Sequence, residues 1–106
     1  MSIITFISDF GMYDHYVSSV KASILKYNTN NKIIDISHDI KKYDLSHAAH
    51  VFKNVYKEFP QGSTHIIAVK NYESSENILL FQINNHFIIT FDSGIISLIS
   101  SKENIP

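Results

Sequence analysis

A regular switch of hydrophobic period restricts this chain to few architectures. Short β-branched runs alternate with stretches whose apolar residues recur at helical spacing. Residues 2–8 (SIITFIS) form the first run and read as a buried strand. Asp9-Phe10-Gly11 break it. From Asp14 the period changes: Tyr16, Val20, Ile24 and Tyr27 fall on one helical face with Val17 beside them. Asp14 stands where an acidic residue favours a helix N-terminus, and residues 28–31 supply turn formers. Residues 32–37 (KIIDIS) give a second strand, and a connector over 38–43 leads to Asp44, an expected N-cap. Leu45, Ala48, Ala49, Phe52, Val55, Tyr56 and Phe59 then keep the i, i+3, i+4, i+7 rule, until Pro60 and Gly62 end the helix. Residues 64–69 (THIIAV) give a third strand.

The order is therefore β-α-β-α-β, and crossovers of helical length imply parallel strands. The last third differs. After a polar loop over 70–77, two apolar runs at 77–83 and 86–91 flank Asn84-Asn85. Asn accepts the left-handed conformation of a tight hairpin turn, so an antiparallel hairpin is expected. Asp92-Ser93-Gly94 reads as a turn, 95–99 as strand or helix, and 100–106 as a polar tail. The expected fold is one α/β domain over 1–106: a Rossmann-like, mostly parallel sheet with a C-terminal antiparallel hairpin.

Composition narrows the function. Nine Lys and Arg against ten Asp and Glu leave a net charge of −1, so no basic surplus recruits a phosphate backbone, and nucleic-acid binding is not expected. The absence of Cys removes disulfides and thiolate metal sites. No apolar run reaches the length of a membrane span, and the first residues lack a signal-peptide pattern, so a cytoplasmic protein is expected. Glycine-rich phosphate cradles are missing, which disfavours nucleotides held mainly by their phosphates.

In a parallel sheet, ligands sit at the carboxyl ends of the strands. The loops there are 9–14, 38–44 and 70–77. By position alone, Asp9 is either a turn residue or a carboxylate that accepts bonds from ligand hydroxyls or an amine; Asp14 is either that or a helix cap. Tyr43 either staples the entry to the second helix or stacks on a planar ligand. His38 ends a strand and either caps its own turn or bonds a ligand. His47 and His50 lie three apart but outside the apolar stripe and without a third ligand, which points to a solvated helix face rather than a metal site. His15, His65 and His86 carry no specific signal. No metal or cofactor is expected.

Ser8-Asp9-Phe10-Gly11, then Asp14-His15-Tyr16-Val17 and Val20-Lys21, resemble the opening of the S-adenosyl-L-methionine hydroxide adenosyltransferases, a family related to fluorinating and chlorinating enzymes. The resemblance continues through Ile34-Asp35-Ile36-Ser37-His38-Asp39-Ile40, Ala48-Ala49, Phe59-Pro60-Gln61-Gly62 and Asp92-Ser93-Gly94-Ile95-Ile96. It implies attack of water or hydroxide at C5′ of S-adenosyl-L-methionine, releasing adenosine and L-methionine, with the sulfonium as substrate rather than cofactor. It places Asp9 on the ribose hydroxyls, Asp14 near the methionine amine and Tyr43 beside the nucleoside. It also implies a homotrimer. Several departures stand against it: Lys70 occupies a family Asp position, the glycines of the following loop are missing, a family Arg position falls near Asn77, a family His lies beyond residue 106, and Ser93 replaces an Asn. The family's C-terminal barrel domain falls beyond residue 106. The expectation is thus a substrate-binding half with negligible hydrolysis of its own. The alternative is a non-catalytic remnant that binds an adenosyl ligand or serves protein assembly.

Overall fold

β1 (Ile3–Ser8) lies between two parallel neighbours, and its last four residues are buried. A computed structural model of the chain describes residues 3–12, 14–27, 29–70 and 77–103. Expectations that fall on Ser2, Asn28, residues 71–76 and residues 104–106 lie outside the described residues. After β1 come α1 (Tyr16–Tyr27), β2 (Lys32–Ser37), α2 (Leu45–Val55), a 3₁₀ turn (Tyr56–Glu58), β3 (Thr64–Ala68), β4 (Ile78–Ile83), β5 (His86–Phe91) and α3 (Ile95–Glu103). The five strands form one sheet in the order β2-β1-β3-β5-β4, parallel except for the β4–β5 hairpin. The hairpin turns through Asn84 and Asn85 at φ 49° and 64°, the left-handed pair that a two-residue turn demands.

Successive strand residues point to opposite faces. Thr5, Ile7, His65, Ile67, His86, Ile88 and Thr90 are buried on the face covered by α2 and α3. There Leu45, Ala48, Ala49 and Phe52 of α2 meet Ile95 and Ile99 of α3 in the main core. The open alternative for 95–99 resolves as helix because Ile95 and Ile99, four apart, both enter that core. α3 continues through residues expected in the polar tail.

Two helical expectations need correction. The second helix does not run α-helical to Phe59; it tightens after Val55 into the 3₁₀ turn, and Phe59 is extended at φ −90°, ψ 155°. Pro60 disfavours helical backbone at the residue before it. In α1 the expected apolar face is thin. Val17 alone is buried, Val20 and Ile24 are half-buried, and Tyr16 and Tyr27 are 55% and 93% exposed. α1 rests on the opposite sheet face, where Phe6 meets Phe10 and Phe10 meets Tyr16.

The α2 face also buries a polar network. Thr5 Oγ1 lies 2.6 Å from His65 Nδ1, and His65 Nε2 lies 3.0 Å from His86 Nδ1. Phe52, Tyr56 and Phe59 pack edge-on to His65. Burial and then the neighbouring His86 push His65 down to about 4 from its ordinary 6.5, and burial lowers His86 as well. Both rings are therefore neutral in the fold at neutral pH. The unfolded chain binds protons that the folded chain refuses, so stability is full above pH 6.5 and falls as pH drops towards 4. Urea unfolding at pH 7.5 and at pH 5 should differ by about 2 kcal/mol from His65 alone, with the acid sample less stable. His65→Gln should flatten that dependence.

Candidate active site

The chain crosses from β2 to β3 over β1, so β2 and β3 flank β1 on opposite sides. Strand order reverses at such a point, and a crevice forms there at the carboxyl ends of the strands. A cavity of about 290 Å³ occupies that place. Its walls are Asp9 and Phe10 after β1, Lys42 and Tyr43 from the connector after β2, Ala68 and Lys70 at the end of β3, and Phe91 at the end of β5.

Each wall has a local cause. Gly11, at φ +72°, lets the chain turn away from the sheet after Phe10, and its N–H donates to the His38 carbonyl at 2.8 Å. Asp44 caps α2 by accepting from the His47 N–H at 2.9 Å, while its own N–H donates to the Lys41 carbonyl. That tight turn forces Tyr43 to φ +63°. A bulky residue there is strained by about 1–3 kcal/mol. The Lys70 ammonium lies 4.5 Å from the centroid of the Phe91 ring. The cavity thus joins one carboxylate, two ammonium groups and three aromatic rings.

Of the three site residues read from the sequence, Asp9 and Tyr43 meet in this cavity and Asp14 does not line it. Asp14 precedes α1 on the exposed surface, 3.7 Å from His15 Nδ1. Lys70, read from the sequence as a departure from the family pattern, lines the same wall. Phe10 and Lys42 lie in loops expected at this edge but were not singled out; Ala68 and Phe91 end β3 and β5, and the pairing of those two strands brings them to the cavity. His47 and His50 take structural bonds: His47 Nδ1 accepts from the Lys41 N–H at 3.1 Å, and Asn54 packs on the His50 ring. Among the described residues no group of three or more His, Asp or Glu gathers as a metal site, and no helix is long and apolar enough to cross a membrane.

Beneath the cavity runs a second chain of polar groups. Ser8 Oγ lies 2.5 Å from His38 Nδ1, His38 Nε2 lies 2.7 Å from Asp35 Oδ1, and Lys21 pairs with Asp35. Burial alone would raise the Asp35 carboxyl. The hydrogen bonds from His38 and Lys21, with the Lys21 charge, outweigh that and hold it below its ordinary value. The order serine–histidine–aspartate resembles a nucleophilic triad, but Ser8 is fully buried and does not line the cavity.

A mostly parallel sheet wound on both faces, with a crevice where the winding reverses, defines a Rossmann-like α/β domain. The model of the SAM hydroxide adenosyltransferase N-terminal domain matches residues 4–106, and the chain belongs to that family. It is 33% identical over 111 aligned residues to an (R)-S-adenosyl-L-methionine hydrolase of Methanocaldococcus jannaschii, covering 99% of this chain and 42% of that protein. A hydrolase of the same name from Thermus thermophilus is 32% identical over 69 residues, covering 65% and 27%. The fold matches a crystal structure of a conserved Thermotoga maritima protein at TM-score 0.82 and 24% identity, over 97% of this chain and 40% of that one. A conserved protein from Thermus thermophilus matches at TM-score 0.78 and 26% identity, over 92% and 41%. The chain spans about two fifths of the length of the Methanocaldococcus relative and of both solved structures.

The strain at Tyr43 separates stability from binding. Asn tolerates the left-handed backbone, so Tyr43→Asn should raise stability by about 1 kcal/mol in urea unfolding. The same variant should weaken any planar ligand that stacks in the cavity, which a titration with adenosine reads directly.

Proposed function

We propose that this chain forms the adenosyl-binding half of a site that cleaves S-adenosyl-L-methionine. The observation that carries this reading is the meeting of Asp9 and Tyr43 in one cavity at the reversal of the sheet. Asp9 accepts hydrogen bonds from the two ribose hydroxyls, and Tyr43 with Phe10 gives the nucleoside an apolar wall. Membership of the family and the names of the two hydrolases support the reaction class. In that reaction a water oxygen bonds to C5′ as the C5′–S bond breaks. The bonding pair leaves with sulfur as neutral L-methionine thioether, and the water releases a proton to solvent. The sulfonium loses its charge in the transition state, so a site that excludes bulk water and aligns the oxygen opposite sulfur lowers the barrier. Asp14, exposed before α1 and outside the cavity lining, is assigned by the family resemblance to the amino group of the methionine tail.

Lys70 favours a second reading, in which the chain binds the adenosyl ligand but does not hydrolyse it unaided. An ammonium group accepts neither a hydrogen bond nor a proton from the attacking water. An adenosine-release assay followed by chromatography should show turnover of the isolated chain at the buffer background.

Asp9 is the sharper test. A charge-assisted hydrogen bond contributes about 1.5–3 kcal/mol. Asp9→Asn keeps the shape and removes the charge, so adenosine affinity should fall about tenfold or more in a calorimetric titration. Equal binding by wild type and variant would reduce Asp9 to a turn residue and remove the basis of the assignment.

A further inference from the structure

We infer that Ser8 and His38 are positioning residues for Asp9: the Ser8–His38–Asp35–Lys21 chain fixes the loop that presents the ribose-binding carboxylate. This rests on the adenosyl-binding reading of the cavity.

The chain of groups follows from a fault in strand pairing. β1 and β2 run in register from Ile3↔Lys32 to Phe6↔Asp35, and the pairing then slips to Ile7↔Ser37. One extra residue in β2 therefore brings His38 level with Ser8. Without the slip, Ser37 would stand there.

The proton directions are set from the outer end. The Asp35 carboxylate only accepts, so His38 presents Nε2–H to it and leaves the Nδ1 lone pair inward. The Ser8 hydroxyl donates to that lone pair, which turns the remaining Ser8 lone pairs to the backbone. The Phe10 N–H donates to Ser8 Oγ at 3.3 Å. The next amide, Gly11 N–H, donates to the His38 carbonyl at 2.8 Å, and Ile40 N–H returns to the Ser8 carbonyl at 3.3 Å. Asp9 thus stands between Ser8, whose hydroxyl and carbonyl are both engaged, and Phe10-Gly11, whose amides are tied to Ser8 and His38. His38 is fixed in turn by the edge-on ring of Phe6 at 4.8 Å and is only 5% exposed. Neither Ser8 nor His38 lines the cavity, so their effect reaches a ligand through Asp9.

The test is a double-mutant cycle read by adenosine titration and by amide hydrogen exchange on the whole chain. Ser8→Ala removes the hydroxyl. His38→Phe keeps the ring packing on Phe6 and removes both nitrogens. Each should weaken adenosine about tenfold in the wild-type background and by less than about twofold in the Asp9→Asn background. Ser8→Thr, which keeps the hydroxyl, should restore affinity. Exchange at the Phe10 and Gly11 amides should accelerate about tenfold, while the Ile67 and Ile88 amides keep their protection. Retained protection at those core amides shows that Ser8→Ala is folded, and it carries the test if His38→Phe is not.

Losses of equal size in both backgrounds would overturn the positioning role, because the residues would then act independently of Asp9. Unchanged affinity with faster exchange would overturn it too. Failure of wild type to take up adenosine would overturn the functional reading and this role with it. The exchange result would in that case still report whether the four groups tie the loop.

Discussion

The parallel pairing of β1 with both β2 and β3 is the constraint on which the remaining structure depends. A strand in that place is covered on both faces, so its sequence has to be apolar almost throughout. The two crossovers that satisfy the pairing send α1 and α2 to opposite sides. The carboxyl end of β1 then opens between diverging loops, and whatever residue follows Ser8 is delivered to the crevice. Asp9 owes its place to this topology before any contact of its own is considered.

Polar groups in so apolar a strand need partners, and β1 places one on each face. Thr5 faces α2 and joins His65 and His86; Ser8 faces α1 and joins His38 and Asp35. The two arrangements differ in charge. The first holds neutral rings among Phe52 and Tyr56, remote from solvent. The second ends in a carboxylate and an ammonium near the surface, where a charge is solvated at lower cost. Imidazole suits both because its two nitrogens can serve two different partners at once.

Much of this fold was legible because short β-branched runs and helical stripes differ in period. β2 and β5 fall on the expected residues, β1, β3 and β4 lie within one residue of them, and the Asn84-Asn85 turn is where its chemistry places it. The stripe through Phe59 misled because Tyr56 and Phe59, three apart, suit a 3₁₀ turn or an extended exit as well as an α-helix. Tyr16 and Tyr27 misled because periodicity reports a face, not what covers it. That Asp9 and Tyr43 stand on loops at the carboxyl edge was legible from the strand order, whereas the position of Asp14 outside the cavity lining was not. The partners of His65 and His86 were not, since contacts across β1, β3 and β5 join residues up to sixty positions apart. The slip between β1 and β2 leaves no mark in the sequence either, yet it sets which residue stands beside Ser8.

α1 buries Val17 and little else, whereas α2 is locked by Leu45, Ala48, Ala49 and Phe52. Few buried contacts mean a low free energy of local opening. The fold is therefore graded: a densely packed half around α2 and α3, and a thinly packed half around α1. Lys21 belongs to the loose half and Asp35 to the sheet. The Lys21–Asp35 pair therefore ties this thinly packed helix to the sheet at the outer end of the Asp35–His38–Ser8 line.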